Sequence, residues 1–231
     1  MNEVYRQEKK YLMNLADMHR LMGRLEPLMQ QDAHNAQRGY PIRSLYFDTL
    51  GERDYHEKLD GVEVRRKLRL RLYDPAGDYA MLEMKQKQGP YQKKRSLRLA
   101  REDAVRLSKG DYDSLLRYDD PFAAECYAMM HLWCYRPKTV VEYLRKAYIA
   151  RENQIRITFD RELRASEACL ELFDPQLNLY PVLDAFHGIL EVKYNGFLLS
   201  YIKAQVSAAN RSELSVSKYC LARSAGLKFS L

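Results

Sequence analysis

The chain has 231 residues, of which 46% are hydrophobic and 30% charged, and its formal net charge is +7. That balance supplies apolar surface for a core and excludes a disordered chain, and no run approaches the ~18 consecutive apolar residues of a membrane-crossing helix. The opening MNEVYRQEKKYLM has no apolar stretch of the secretory kind, so one globular, cytoplasmic domain over 1–231 is expected. Surplus cations suit nucleic acid, an anionic membrane or a phosphate-rich ligand alike, so their placement has to decide.

In chain order, residues 5–11 alternate and put Arg6, Glu8 and Lys10 on one side of a strand. Asn14 caps a helix reaching to about Gln31, with Leu15, Met18, Leu21, Met22, Leu25 and Leu28 in one stripe and Pro27 placed to kink or end it. Residues 43–48, with SLYFD, are extended. Over 64–73, Leu68, Leu70 and Leu72 oppose Lys67, Arg69 and Arg71. Over 79–87, Leu82 and Met84 oppose Glu83, Lys85 and Lys87. After the turn at Gly89-Pro90, Leu97 and Leu99 oppose Lys94, Ser96 and Arg98, which completes a hairpin. In the run Lys93-Lys94-Arg95 the two leucines assign Lys94 to the charged face.

Residues 101–108 and roughly 113–132 have helical spacing, and 140–149 (VVEYLRKAYI) are extended. Over 154–159, Ile155, Ile157 and Phe159 oppose Arg156, Thr158 and Asp160; over 189–194, Leu190 and Val192 oppose Glu191 and Lys193. Ser212, followed by Glu213, begins a C-terminal helix that passes Ser217-Lys218-Tyr219 and stops at Gly226. The sum is an α+β chain with roughly eight strands, the number a small closed barrel requires.

No GxxxxGK[ST], GxGxxG or GxSxG occurs, so phosphate chemistry would have to use side chains rather than a glycine-rich backbone cradle. Cys126, Cys134, Cys169 and Cys220 lack CxxC spacing and read as reduced, buried thiols, and the five histidines form no metal-binding pair. What stands out is that the polar member of the strand alternation is so often a cation. Like charges on neighbouring strands repel. A closed sheet with its apolar faces turned to the helices and its charged faces inward, around a polyanion, would relieve that repulsion. Nucleic-acid binding is the weaker reading, because the cations alternate along strands instead of forming a broad outer patch with aromatic platforms.

The motifs R-x-E-x-K (Arg6, Glu8, Lys10), LYFD (45–48), R-L-R (69–71), L-E-M-K (82–85), Y-L-R (143–145), I-R-I-T-F-D (155–160), L-E-V-K (190–193) and S-K-Y (217–219) follow one another along the chain. In that order and spacing the sequence resembles the VTC domain of polyphosphate polymerases, within the triphosphate tunnel metalloenzymes, also called CYTH-like proteins. The resemblance implies an eight-stranded antiparallel β tunnel, a closed barrel with a charged interior flanked by helices. It also implies transfer of the γ-phosphoryl of ATP to a growing polyphosphate chain with Mn²⁺ or Mg²⁺. ATP and inorganic polyphosphate are then the partners, and the eukaryotic relatives add a membrane-protein partner at the inner face of a membrane.

By the same resemblance Arg69, Arg71, Lys85, Arg145 and Arg156 act on the transferred phosphates, and Lys10, Lys94 and Lys218 bind the chain. The alternation adds Lys67 and Lys193 to them. Glu191 is the expected metal carboxylate, with Glu8 and Glu83 next; the plainer role for those two is to pair with Lys10 and Lys85. One departure is Arg6, which stands where tunnel triphosphatases carry the first glutamate of ExExK. A metal-dependent triphosphatase or nucleotide phosphohydrolase and a non-catalytic polyphosphate or nucleotide sensor are the alternatives. Tyr46 and Tyr143 read as core or orienting residues, and Arg164, Lys203, Arg211 and Arg223 as surface charge.

Overall fold

The computed structural model describes residues 6–89, 91–215 and 217–228. Their elements are β1 (Arg6–Asn14), α1 (Leu15–Leu25), β2 (Gln30–Gln31), β3 (Tyr40–Asp48), α2 (Arg53–Leu59), β4 (Val64–Leu72), β5 (Tyr79–Gln88), β6 (Tyr91–Ala100), α3 (Arg101–Ser108), a 3-10 helix (Tyr112–Arg117), α4 (Pro121–Leu132), β7 (Arg136–Ala150), a 3-10 turn (Glu152–Gln154), β8 (Ile155–Ser166), β9 (Tyr180–Pro181), β10 (His187–Asn195), α5 (Ser200–Ala208), β11 (Ser212–Glu213) and α6 (Lys218–Lys228). The strand order is β11-β1-β10-β8-β7-β3-β4-β5-β6, with β2 on β7 and β9 on β8. The chain is thus a mixed α+β protein with a large antiparallel sheet.

All eight strands expected from the alternation form. The expected closure into a barrel is not made by backbone pairing, because among the described residues the path ends at β11 and at β6. Both ends resist extension: β11 has only two residues, and β6 exposes Lys93, Lys94 and Arg98, a charged edge of the kind that discourages further pairing.

The chain divides into two compact units. In the first (Met1–Pro41, Tyr143–Leu163, Leu183–Ser215), β1 lies antiparallel to β10 and β10 to β8. Their apolar sides, with Ile155, Ile157, Phe159, Leu190 and Val192, pack with Met18, Leu21, Met22 and Leu25 of α1 and Ile202 and Val206 of α5. Asn14 caps α1 by accepting from the Asp17 amide at 2.8 Å. The helix ends at Leu25, short of Gln31, because Pro27 has no N–H to continue the ladder.

In the second unit (Ile42–Glu142, Arg164–Val182, Val216–Leu231), β3, β4, β5 and β6 pair in sequence order. Leu45, Phe47, Leu68, Leu70, Leu72, Leu82 and Met84 face a core shared with Ala104 and Leu107 of α3, Leu115, and Phe122, Cys126 and Met130 of α4. Here the helix expected over 113–132 is broken in two: Pro121 starts α4 afresh, with the Asp120 carboxylate accepting from the Phe122 amide at 2.7 Å. Pro90 of the expected turn and Val216 lie outside the described residues.

Further expectations change at the C-terminal end. Ser212 and Glu213 form β11 against Leu12 and Tyr11 instead of starting a helix. The helix begins at Lys218 and runs through Gly226 to Lys228. A strand partner two hundred residues away in sequence leaves no local trace, which is why the segment read as helical. Two helices without a strong apolar period, α2 and α5, were not expected. Of the cysteines, all free, Cys126 and Cys220 are buried as expected but Cys134 and Cys169 are exposed.

Two glycines test this backbone. Gly39 has φ +93°, and a Cβ there would lie 2.2 Å from the carbonyl oxygen of Arg145, whereas a Cβ on Gly23, inside α1, meets nothing within 4 Å. Gly39→Ala should therefore destabilise the fold by more than ~1 kcal/mol, and Gly23→Ala should stabilise it by about 0.5–1 kcal/mol. Urea-unfolding midpoints of the two variants check both signs.

Candidate functional site

Each unit carries one charged sheet face, opposite its apolar one. In the second unit the strand register sets the rows. Tyr46 lies opposite Arg69, Arg69 opposite Glu83 and Glu83 opposite Ser96. In the next row Lys67 lies opposite Lys85 and Lys85 opposite Lys94. Arg95 is opposite Met84 on the other face, where it pairs with Glu125.

Glu83 sits at the centre, 3% exposed. Its Oε2 accepts from Arg69 Nε at 3.0 Å and Nη2 at 2.8 Å, and its Oε1 accepts from Arg71 and, at 2.5 Å, from Lys94 Nζ. Burial pushes this carboxyl upward, but Arg69, Arg71 and Lys94 outweigh it and hold the group at about 2. Burial likewise lowers the Lys94 ammonium despite the Glu83 partner. Burying several charges together is tolerated because the carboxylate is met on both oxygens; removing one partner from such a group typically costs ~3–5 kcal/mol.

Aromatic rings flank this face. The Tyr46 hydroxyl accepts from Arg69 Nη1 at 3.1 Å, and its ring stacks on Tyr219 of α6 with centroids 5.2 Å apart. Lys67 Nζ lies 5.9 Å and 5.7 Å from these two ring centroids, within reach of a cation–π attraction. Lys218, half-buried, precedes Tyr219 at the start of α6.

In the first unit Glu8 lies opposite Lys193 and Lys193 opposite Arg156, while Lys10 lies opposite Glu191 and Glu191 opposite Thr158. Lys10 Nζ is 3.1 Å from Glu8 and 3.8 Å from Glu191; Lys193 Nζ is 3.1 Å from Glu191 and 4.0 Å from Glu8. Arg145 donates to both oxygens of Asp160, at 2.7 and 2.8 Å, and lies 3.6 Å from Glu191. Burial works against its charge, but Asp160 and Tyr143 more than compensate and keep the guanidinium firmly protonated. Arg156 pairs with Asp32 at 2.6 Å and donates to the Tyr40 hydroxyl at 3.1 Å.

All thirteen candidate residues therefore fall on these two faces or, for Lys218, beside one of them. Sequence reasoning missed three acids and an aromatic. Asp160 was visible in phase with Arg156 and Thr158 but was not given a role. Asp32, Tyr219 and Asp48, which accepts from the Tyr219 hydroxyl at 2.7 Å, had no periodic signal. Arg223, read as surface charge, is only 9% exposed and is paired on both sides.

As for a divalent ion, Glu8 and Glu191 present hard oxygens close to the same two ammonium groups, while Glu83 has both oxygens engaged by basic side chains. Among the described residues no group of three or more His, Cys, Asp or Glu gathers to hold a metal. Such a pair fits Mg²⁺ or Mn²⁺ bound through one or two carboxylates with phosphate oxygens and water completing the shell; it does not fit a cage made of protein ligands alone.

These faces can be set beside known proteins. Among solved structures, a Bacillus halodurans protein described as a candidate adenylate cyclase is similar at 13% identity with a TM-score of 0.50, covering 88% of each chain, a likeness of fold only. A Vibrio parahaemolyticus protein of the same description has 13% identity and a TM-score of 0.45 over 88% of this chain and 85% of its own, and a Pyrococcus horikoshii protein has 9% identity and 0.45 over 94% and 99%. No curated protein sequence matches. The VTC domain profile matches residues 5–226, nearly the whole chain, with both charged faces inside it, and the chain belongs to the VTC domain family.

Proposed function

We propose that the chain is a metal-assisted polyphosphate polymerase that transfers the γ-phosphoryl group of ATP to a polyphosphate end. The observation that carries this reading is the convergence of Arg69, Arg71 and Lys94 on the single carboxylate of Glu83: three cations already oriented around one point of negative charge. The VTC family membership supports it. In the reaction, a terminal polyphosphate oxygen forms a bond to the γ-phosphorus as the bond to the β,γ-bridging oxygen breaks, leaving ADP and a chain longer by one phosphate.

Phosphoryl transfer asks chiefly for alignment and for neutralisation of oxygen charge. Arg69 and Arg71 donate in pairs to non-bridging oxygens, and Lys67, Lys85 and Lys94 add compact positive charge in the adjoining row. Glu83 keeps Arg69 and Arg71 extended along the face, and the Tyr46 hydroxyl holds Arg69 from its far side. The face of the first unit has cations of its own, Lys10, Lys193, Arg145 and Arg156, with Asp160 and Asp32 fixing the two guanidinium planes. Glu191 and Glu8 would hold a divalent ion, which when bound would draw charge from the phosphate oxygens.

With ATP and Mn²⁺, purified protein should yield chains visible on a gel stained for polyphosphate. Arg69→Ala and Glu191→Gln should each lower the rate by roughly a hundredfold or more, the scale for losing a group that meets developing charge, while Lys203→Ala should leave it unchanged. Accumulation of orthophosphate without chains would make the protein a hydrolase; tight polyphosphate binding without turnover would make it a sensor.

Glu83 also fixes a pH dependence. Its folded value of about 2 is depressed below that of a free carboxyl, so its stabilisation is complete above the free value and disappears as pH falls through about 2. The gap in urea midpoint between wild type and Glu83→Gln should be widest at neutral pH and shrink toward zero as the pH is lowered to about 2.

A further inference from the structure

We propose that Arg223 is a positioning residue for phosphate binding, acting through α6 on Lys67 and Arg69; the inference rests on the phosphate-handling role given above. Arg223 is the sixth of the eleven residues of α6, and its ion pairs are not with the charged face. Instead it donates to Glu52 through Nη2 and lies 2.6 Å from Glu167 through Nη1. Lys138 Nζ stands 3.6 Å from the same Glu52 carboxylate. Glu52 itself occupies the N-cap of α2 in the left-handed region, at φ 56°, a conformation a non-glycine residue adopts only when its surroundings impose it.

Three more contacts tie α6 to the same place. The Tyr219 hydroxyl donates to Asp48 Oδ2 at 2.7 Å, the Tyr219 ring meets the Tyr55 ring edge-on at 6.2 Å, and the Tyr55 hydroxyl and Ser224 Oγ are 3.2 Å apart. Asp48, fully buried, also accepts the amides of Asp54 and Tyr55 at 2.9 and 3.0 Å, so one carboxylate serves the first turn of α2 and the tyrosine of α6 together. From Tyr219 the contacts continue to the charged face: its ring stacks on Tyr46, the Tyr46 hydroxyl receives Arg69, and Lys67 lies over both rings.

A helix bearing a tyrosine on this route needs its rotation fixed. One turn beyond Tyr219 on α6, Arg223 provides that with two half-buried ion pairs, and both would be lost together on truncation. Loosening α6 removes the aromatic floor beneath Lys67 and the stacked partner of Tyr46. The charged face keeps its cations but loses their placement.

The test is titration calorimetry of the purified full chain with tripolyphosphate, with folding of each variant checked by circular dichroism at the same temperature. Arg223→Ala should weaken binding about tenfold, a difference of ~1.4 kcal/mol. Arg223→Lys should restore much of it, and Lys203→Ala should change nothing. Combined with Lys67→Ala, Arg223→Ala should add little, because the two act along one route; combined with Lys10→Ala, the losses should multiply. If Arg223→Ala does not fold, Glu167→Gln, which keeps the Glu52 pair, takes its place with an expected loss of about threefold. A folded variant that binds as tightly as wild type overturns the inference, and so does a loss that multiplies equally with both lysine substitutions, since that marks general loosening. Wild-type protein that does not bind tripolyphosphate overturns the function proposed above and this inference with it.

Discussion

Cations placed on adjacent strands of one sheet face repel each other at about 5 Å, and the structure depends on how that repulsion is offset. On β4, β5 and β6 the offset is a single carboxylate. Glu83 meets Arg69, Arg71 and Lys94, and the three cations favour its charged form more than burial opposes it, which depresses its pKa. On β1, β8 and β10 the charges are interleaved, with Glu8 and Glu191 set among Lys10, Lys193 and Arg145. Each face is thus internally balanced enough to fold, and under the proposed function a phosphate would engage its basic groups by sharing or displacing the carboxylates.

The apolar faces make this possible. Leu68, Leu70, Leu72 and Leu82 are each nearly or fully buried against α3 and α4, as Ile155, Ile157, Leu190 and Val192 are against α1 and α5. Burying a leucine or isoleucine side chain contributes ~1.5–3 kcal/mol, so the two cores can offset the desolvation of charges on the opposite sides of the same strands. Rigidity follows from the same alternation: a slip of one residue would carry every leucine to the charged face. The cations therefore stand at fixed spacing, as the proposed phosphate recognition requires.

Family and fold agree with this picture at different levels. The VTC domain match spans nearly the whole chain, while the likeness to the Bacillus halodurans structure, at 13% identity, concerns the fold. Two carboxylates near paired ammonium groups, with no gathered third acid among the described residues, suit an ion that would share its coordination with the proposed phosphate substrate.

Sequence alone determined the strands and their two sides, because side chains alternate with period two whatever the rest of the chain does. Leu68, Leu70 and Leu72 against Lys67, Arg69 and Arg71 could be read directly, and the leucines at 97 and 99 were enough to put Lys94 rather than Arg95 beside Lys85. The family could be read for the same reason, since its motifs are these strands in order. Tertiary structure alone decided which anion each cation meets. Arg145 finds Asp160 across the neighbouring strands β7 and β8, and Arg156 finds Asp32 from a segment far earlier in the chain. It also decided that Ser212 and Glu213 add to a sheet edge and that Arg223 is buried, since both depend on what packs alongside, and a periodic pattern carries no information about its neighbours.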